Sequence, residues 1–366
     1  MHTVTKRRLF ILCGFSFLGA VRFFYWFSLY CEPLSLVQRQ IDEWLGSTWR
    51  LVPYTRDEGV IFLKTHKTAG STVTSVMWHN LCALAKRNCF LSPSSHPGKT
   101  WDFRRPRDWR IMRRLGGSSL FKNGSFPYGV WLFHAAYSSS LFSVVKHTHR
   151  MISIVRRPCR RFESAWHWYN HSSTLHIGLD RFARNSSQLA PNFKYRTGLD
   201  ATTEELTGIS DFRSKRFLQR SGYIELLNRV AKQSLVLLVA ERFDESLLVL
   251  GRLMGWAPSQ LVSFKQKVGN YQRVGEDACF LLDEMQPFDL GVWKLANAAL
   301  SKYISDNFDQ NEFSQQLQEL AQLNKELEEK CADPNTANAH PDCDLRLDNH
   351  VRIQMVWKTA PGQQRY

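Results

Sequence analysis

The sequence predicts an α/β fold, a parallel sheet with flanking helices, preceded by one N-terminal apolar helix. Three observations carry that expectation. Four short apolar runs of strand length alternate with stretches of helical periodicity; a small-residue turn joins the first run to its helix; and an apolar segment of membrane-spanning length lies near the start. The runs are "VIFLK" (60–64), "VWLFH" (130–134), "MISIV" (151–155) and "LVLLVAE" (235–241). They are continuously apolar rather than alternating, as strands covered on both faces are. Helices are expected over 71–86 ("STVTSVMWHNLCALAK"), from about Cys159 to Tyr169, over "DESLLVLGRLMG" (244–255), and over "LGVWKLANAALSKYISDNF" and "SQQLQELAQLNKELEEK" near the C-terminus. Strand alternating with helix is the pattern of a parallel sheet.

At the N-terminus, Lys6, Arg7 and Arg8 precede the uncharged "LFILCGFSFLGAV", which Arg22 and the aromatic run "FFYWFSLY" follow. A helix from Leu9 to Tyr30 would span about 33 Å, enough for a hydrocarbon core of about 30 Å. No A-x-A-like cleavage site follows, and Tyr25, Trp26 and Tyr30 fit an interfacial belt, so a signal anchor is expected rather than a cleaved leader. Basic residues on the short side put residues 1–8 in the cytoplasm and everything after the span in the lumen. Three acceptor sequons, at Asn123, Asn170 and Asn185, agree with that side. Residues 31–58 read as a stem, a folded domain starts near Gly59 and runs to about 330, and 331–366 is a loop-rich tail. Cys82, Cys89, Cys159, Cys279, Cys331 and Cys343 then lie where disulfides form. Cys82 with Cys89 and Cys331 with Cys343 are the local candidates among fifteen pairings. No tight C-x-x-C or His spacing suggests zinc, and no metal is expected.

The formal net charge of +15 over 366 residues favours an anionic partner. A luminal address makes nucleic acid the wrong polyanion and leaves a phosphorylated cosubstrate, an acidic glycan or a membrane face. Segment 99–114, "KTWDFRRPRDWRIMRR", is either a solvated basic loop or a grip on such a group.

The segment "FLKTHKTAGSTV" (62–73) is the most informative. A strand, a small-residue turn and a helix aim backbone N–H groups and the positive helix end at one point, which suits phosphate or sulfate. Lys64 and Lys67 add cations, Thr68, Ser71 and Thr72 add hydroxyls, and Ala69 and Gly70 keep the turn small. A nucleoside-triphosphate loop needs Lys directly after its last glycine; here Gly70 is followed by Ser71.

"KTHKTAGST" resembles the 5′-phosphosulfate loop of Golgi carbohydrate sulfotransferases, in particular the galactose-3-O-sulfotransferase family that includes galactosylceramide sulfotransferase. "ISIVRRPCRRFESAW" is similar to that family's 3′-phosphate element, "LVLLVAERFDESLLVLGRL" to its acidic-Phe-Asp-Glu-Ser helix start, and "FHAAY" to its histidine-bearing strand end. The four occur in order between about residues 59 and 325. The resemblance implies a sulfotransferase fold, a Golgi membrane address of single-pass type II, and 3′-phosphoadenosine 5′-phosphosulfate as cosubstrate. It implies transfer to a galactose-terminated glycan or glycolipid. Lys67 would hold the bridging and 5′-phosphate oxygens with Lys64 in support, and Arg156 and Ser164 would anchor the 3′-phosphate. His134, at a strand end, is the favoured base, then His66, with Glu241 third. Related sequences carry an acidic residue where this chain has Arg157. Arg160 and Arg161 are expected to be solvated or to pair with acids, Asp244 and Glu245 to cap their helix, and Trp166, Trp168 and Tyr169 to pack or to stack on a ring. A uronyl 2-O-sulfotransferase and a non-catalytic luminal glycan-binding protein are the alternatives, and the long C-terminal helix offers a surface for a homodimer.

Overall fold

In the computed structural model the chain forms two compact units, Met1–Thr48 and Trp49–Tyr366. The structure describes Asp42, Glu43 and Gly46, which are helical, and all of 49–331 except residues 56, 86, 88, 91–128, 133, 144, 146–149, 186–188, 190–197, 210–215 and 264–270. The expected span 9–30, the basic segment 99–114, Asn123 and the tail beyond 331 lie outside the described residues. Among the described residues no helix is long and apolar enough to cross a membrane.

The second unit is built on a five-stranded sheet, β1 (Val60–Leu63), β2 (Cys89–Phe90), β3 (Val130–Trp131), β4 (Met151–Val155) and β5 (Leu235–Val239), in the order β2-β3-β1-β4-β5. Every described pairing is parallel, with Ile61 opposite Trp131 on one side and Met151 on the other, and β4 in register with β5 from Met151↔Leu235 to Val155↔Val239. All residues of β1, β4 and β5 are buried, which is why their sequences do not alternate. The "VWLFH" strand is only two residues long before its backbone leaves the sheet.

Ten helices are described: α1 (Gly70–Met77), α2 (Pro158–Trp168), α3 (His171–Leu175), α4 (Leu179–Arg184), α5 (Ala201–Thr207), α6 (Arg216–Ala231), α7 (Phe243–Met254), α8 (Glu276–Glu284), α9 (Pro287–Asn307) and α10 (Gln310–Lys330). A π-helical stretch, Trp78–Leu84, prolongs α1 and delivers Cys82 to its disulfide with Cys89, one of the two local pairings expected. The second described disulfide, Cys159–Cys279, joins α2 to α8 across 120 residues, a separation that no local reading favours. Cys331 is also disulfide-bonded, to a partner outside the described residues. Asp244 and Glu245 do lie in the first turn of α7, but the N-cap residue is Arg242, which pairs with Glu245. Ser246 instead ties that helix to the sheet, accepting from the Val239 N–H and donating to its carbonyl. Trp49, in the stretch that the sequence assigns to a stem, is buried against Tyr303 of α9, and its N–H donates to Asp306.

The helices from 158 onwards are locked by buried polar contacts. Asp200 accepts the N–H groups of Phe288 and Asp289 at the start of α9, while Asp289 accepts those of Thr202 and Thr203 at the start of α5, so each helix entry is capped by the residue leading the other. Arg161 of α2, fully buried, closes the knot through Gln286 (2.8 Å), the Gly198 carbonyl and Asp289 (3.5 Å). Arg161→Ala would leave Asp289 buried without its cation and is expected to destabilise the protein by about 3–5 kcal/mol, read as a shifted urea midpoint.

Candidate active site

Strand order reverses direction at β1: the chain fills β2 and β3 on one side of it, then β4 and β5 on the other. Open parallel sheets bind ligands outside the C-terminal ends of their strands at such a point. The segments leaving β1, β3 and β4 there carry the residues singled out by the sequence.

The β1–α1 loop is riveted to β4. The Ser153 hydroxyl donates to the Leu63 carbonyl (2.7 Å), and the Thr65 hydroxyl donates to that of Ile154 (2.6 Å). Thr68, a ligand candidate from the sequence, is turned inward, its hydroxyl 2.8 Å from that of Thr65, so its side chain braces the loop. Lys67 and Ala69 have left-handed backbones (φ 63° and 65°), and Ala69 is the N-cap of α1 without a side-chain cap. Non-glycine residues held this way cost roughly 1–3 kcal/mol each, and such strain concentrates at functional sites. Gly70 has a different reason to be glycine: a Cβ there would lie 3.0 Å from Lys64 Cγ and 3.6 Å from the Thr65 carbonyl. With Ser71 half-buried and Thr72 buried in the first turn, the loop presents Lys64, His66 and Lys67 around an uncapped helix start.

The other strands converge on this loop. His134 Nδ1 lies 2.7 Å from the Lys64 carbonyl, which can only accept; Nδ1 therefore carries the hydrogen, and the neutral ring has its lone pair at Nε2. The His66 ring stacks on that of His134, with centroids 4.0 Å apart and planes 19° apart. Glu205 of α5 accepts from both the His66 N–H (2.9 Å) and the His66 ring at Nδ1. From β4, Arg156 Nη1 reaches the Lys67 carbonyl (3.4 Å), and its Nε lies 3.9 Å from Glu241. Glu241 also accepts from the Arg157 N–H (3.0 Å) and from Trp293 Nε1 (3.2 Å), which fits a carboxylate that orients Arg156 better than a base.

The Lys67 ammonium sits 4.0 Å above the ring of Trp168, a residue that is 57% exposed. Ser164, half-buried, lies one turn before Trp168 on the same face of α2, so that face of the helix turns toward the loop. Trp166 is core, packed on Phe162 and Phe182; Trp168 and Tyr169 are not.

Arg157, in place of the expected acidic residue, is directed away from the loop: Nε donates to Asp283 (2.7 Å) and Nη1 to Glu276 (2.8 Å), both on α8. Burial alone would lower its pKa, but those bonds outweigh it and raise it. Arg160 bonds Glu163 and Glu276, and Arg161 lies 3.5 Å from Asp289, so these two cations of α2 pair with acids. Of the described sequons, Asn170 is exposed with a left-handed backbone, its Ser172 hydroxyl accepting from Trp166 Nε1 (2.6 Å), and Asn185 is exposed at the end of α4.

His66, His134 and Glu205 bring metal-ligand atoms within 4.8 Å of one another. Stacked rings, however, aim their nitrogen lone pairs in nearly parallel planes, whereas a zinc ion needs them convergent at about 2.0–2.1 Å. The arrangement suits proton transfer better than a shared ion. Glu205 is the residue that the sequence did not reveal: it is 139 positions from its partner, in a segment without a motif.

Fold and loop together define a parallel α/β protein with a small-residue strand–turn–helix that lacks the lysine of a triphosphate loop. The family model described as Galactose-3-O-sulfotransferase matches residues 26–351, and the chain belongs to that family. It is 26% identical over 213 residues to Galactose-3-O-sulfotransferase 3 of Homo sapiens, covering 56% of this chain and 46% of the relative. It is 21% identical over 313 residues to Galactose-3-O-sulfotransferase 2 of Mus musculus, covering 76% and 71%. The chain spans about half the length of the first of these.

Proposed function

We propose that this protein transfers a sulfuryl group from 3′-phosphoadenosine 5′-phosphosulfate to a sugar hydroxyl, the 3-OH of a terminal galactose on a glycolipid or glycoprotein. It does so in the Golgi lumen, anchored by residues 9–30. The observation that supports this best is the convergence of three strand ends, with His134 bonded to the Lys64 carbonyl and Arg156 to that of Lys67.

In this reading the 5′-phosphosulfate lies over the start of α1, and Arg156 with Ser164 holds the 3′-phosphate. His134 Nε2 takes the proton of the galactose hydroxyl as its oxygen attacks sulfur. The bond from sulfur to the bridging oxygen breaks in line, and Lys67 stabilises the charge left on that oxygen. Lys67 must first leave Trp168, but a cation–π contact at an exposed site is worth only about 0.5–1 kcal/mol, less than charge-assisted bonds to the donor at about 1.5–3 kcal/mol each. No step requires a metal. The diversion of Arg157 to α8 leaves Arg156 facing the loop, which favours a working site over a decayed one.

Calorimetric titration of the full chain in detergent with 3′-phosphoadenosine 5′-phosphate tests this. Wild type is expected to bind, and Arg156→Ala to weaken binding by about tenfold or more, the loss of a charge-assisted contact. A folded wild type that does not bind overturns the enzyme reading.

A further inference from the structure

We propose that Glu205 is a positioning residue of the transfer reaction, holding the donor loop and the histidine stack from α5; this rests on the sulfotransferase reading above. Its side chain is 14% exposed, and the carboxylate makes two contacts with one residue, accepting the His66 N–H with Oε2 and the Nδ1 hydrogen with Oε1. The first bond pins the backbone next to Lys67, whose left-handed φ the loop must sustain. The second sets the ring: with Nδ1–H given to the carboxylate, the His66 ring lies flat against that of His134. His134 is thereby fixed on two sides, by the Lys64 carbonyl at Nδ1 and by the His66 ring on its face.

Glu205 is itself held. Its carbonyl accepts from the Tyr137 N–H (3.0 Å), in the segment that carries His134. Its helix, α5, is anchored at the start through Asp289 to α9, and at its end through Arg229, which donates to the Leu206 carbonyl (2.8 Å) and lies over the Tyr137 ring. A carboxylate this enclosed and this supported places the His66 ring with little play. The two bonds are separable by chemistry. Glutamine can accept the backbone N–H with its oxygen, but then offers an NH₂ to Nδ1–H, donor against donor, so the ring must rotate or move its proton to Nε2. Alanine removes both bonds.

Glu205→Gln is therefore expected to lower kcat by roughly 10–100-fold while the dissociation constant of 3′-phosphoadenosine 5′-phosphate changes by less than about threefold. Glu205→Ala is expected to lose kcat as much and to weaken that binding by about tenfold as well. In a His66→Asn background, Glu205→Gln should add little, because it acts through that ring. The assay uses the full chain in detergent with 3′-phosphoadenosine 5′-phosphosulfate and lactose, and melting curves of each variant. Should Glu205→Gln not fold, Glu205→Asp, whose carboxylate falls one methylene short of the ring, reads the same loss of kcat. An active wild type whose kcat is unmoved by Glu205→Gln, or whose loss is undiminished in the His66→Asn background, overturns this inference alone. A wild type that neither binds nor transfers overturns it together with the sulfotransferase reading.

Discussion

Alanine in place of Lys67 is expected to reduce sulfuryl transfer by about 10³-fold or more, with melting temperature and circular dichroism unchanged. Removing a single group that stabilises developing charge costs about 10²–10³ in many active sites, and Lys67 is proposed to meet both the 5′-phosphate and the bridging oxygen. The fold has little to lose from the change. The ammonium touches Trp168 at an exposed surface, and alanine already occupies a left-handed position two residues on, at Ala69. Transfer to lactose, followed as the loss of donor in the full chain, checks the prediction. Normal turnover in the variant would remove the loop from the mechanism.

His134→Ala is expected to lower kcat by about 10²–10⁴-fold, the usual contribution of a positioned general base, while binding of the nucleotide product is retained. The tautomer is the reason to favour His134 over His66. The Lys64 carbonyl draws the hydrogen to Nδ1 and leaves Nε2 to accept the substrate proton, whereas the His66 ring is committed to Glu205 and to the stack. Paired measurements on His134→Ala and His66→Ala decide between them. If only His66→Ala loses turnover with binding intact, His66 is the base and His134 its support.

Much of this site is local in sequence, and those parts were legible. "FLKTHKTAGSTV" gave the strand, the turn and the helix start because apolar runs and small residues constrain the backbone within a few positions. "MISIV" became β4 residue for residue, and Arg156 lies one position beyond it. Where the Thr68 hydroxyl goes was not legible, because a hydroxyl in a turn has two uses and only packing shows that it bonds Thr65. The shortness of β3 and the length of the π-helical stretch after α1 likewise depend on neighbours that periodicity does not contain.

The amino-acid sequence by itself determined the class of fold, the strand–turn–helix after β1 and the order of the elements around it, since each is written in contiguous residues whose conformational preferences agree. Only the tertiary structure decided where the second charge of "RRP" goes, which cysteine meets Cys159, and which carboxylate holds His66. Arg157 to Asp283, Cys159 to Cys279 and His66 to Glu205 are contacts across 126, 120 and 139 residues. Pairings of that range carry no local signature: they exist because the sheet and the helix pairs bring distant backbone together, and the geometry of that packing selects the partner.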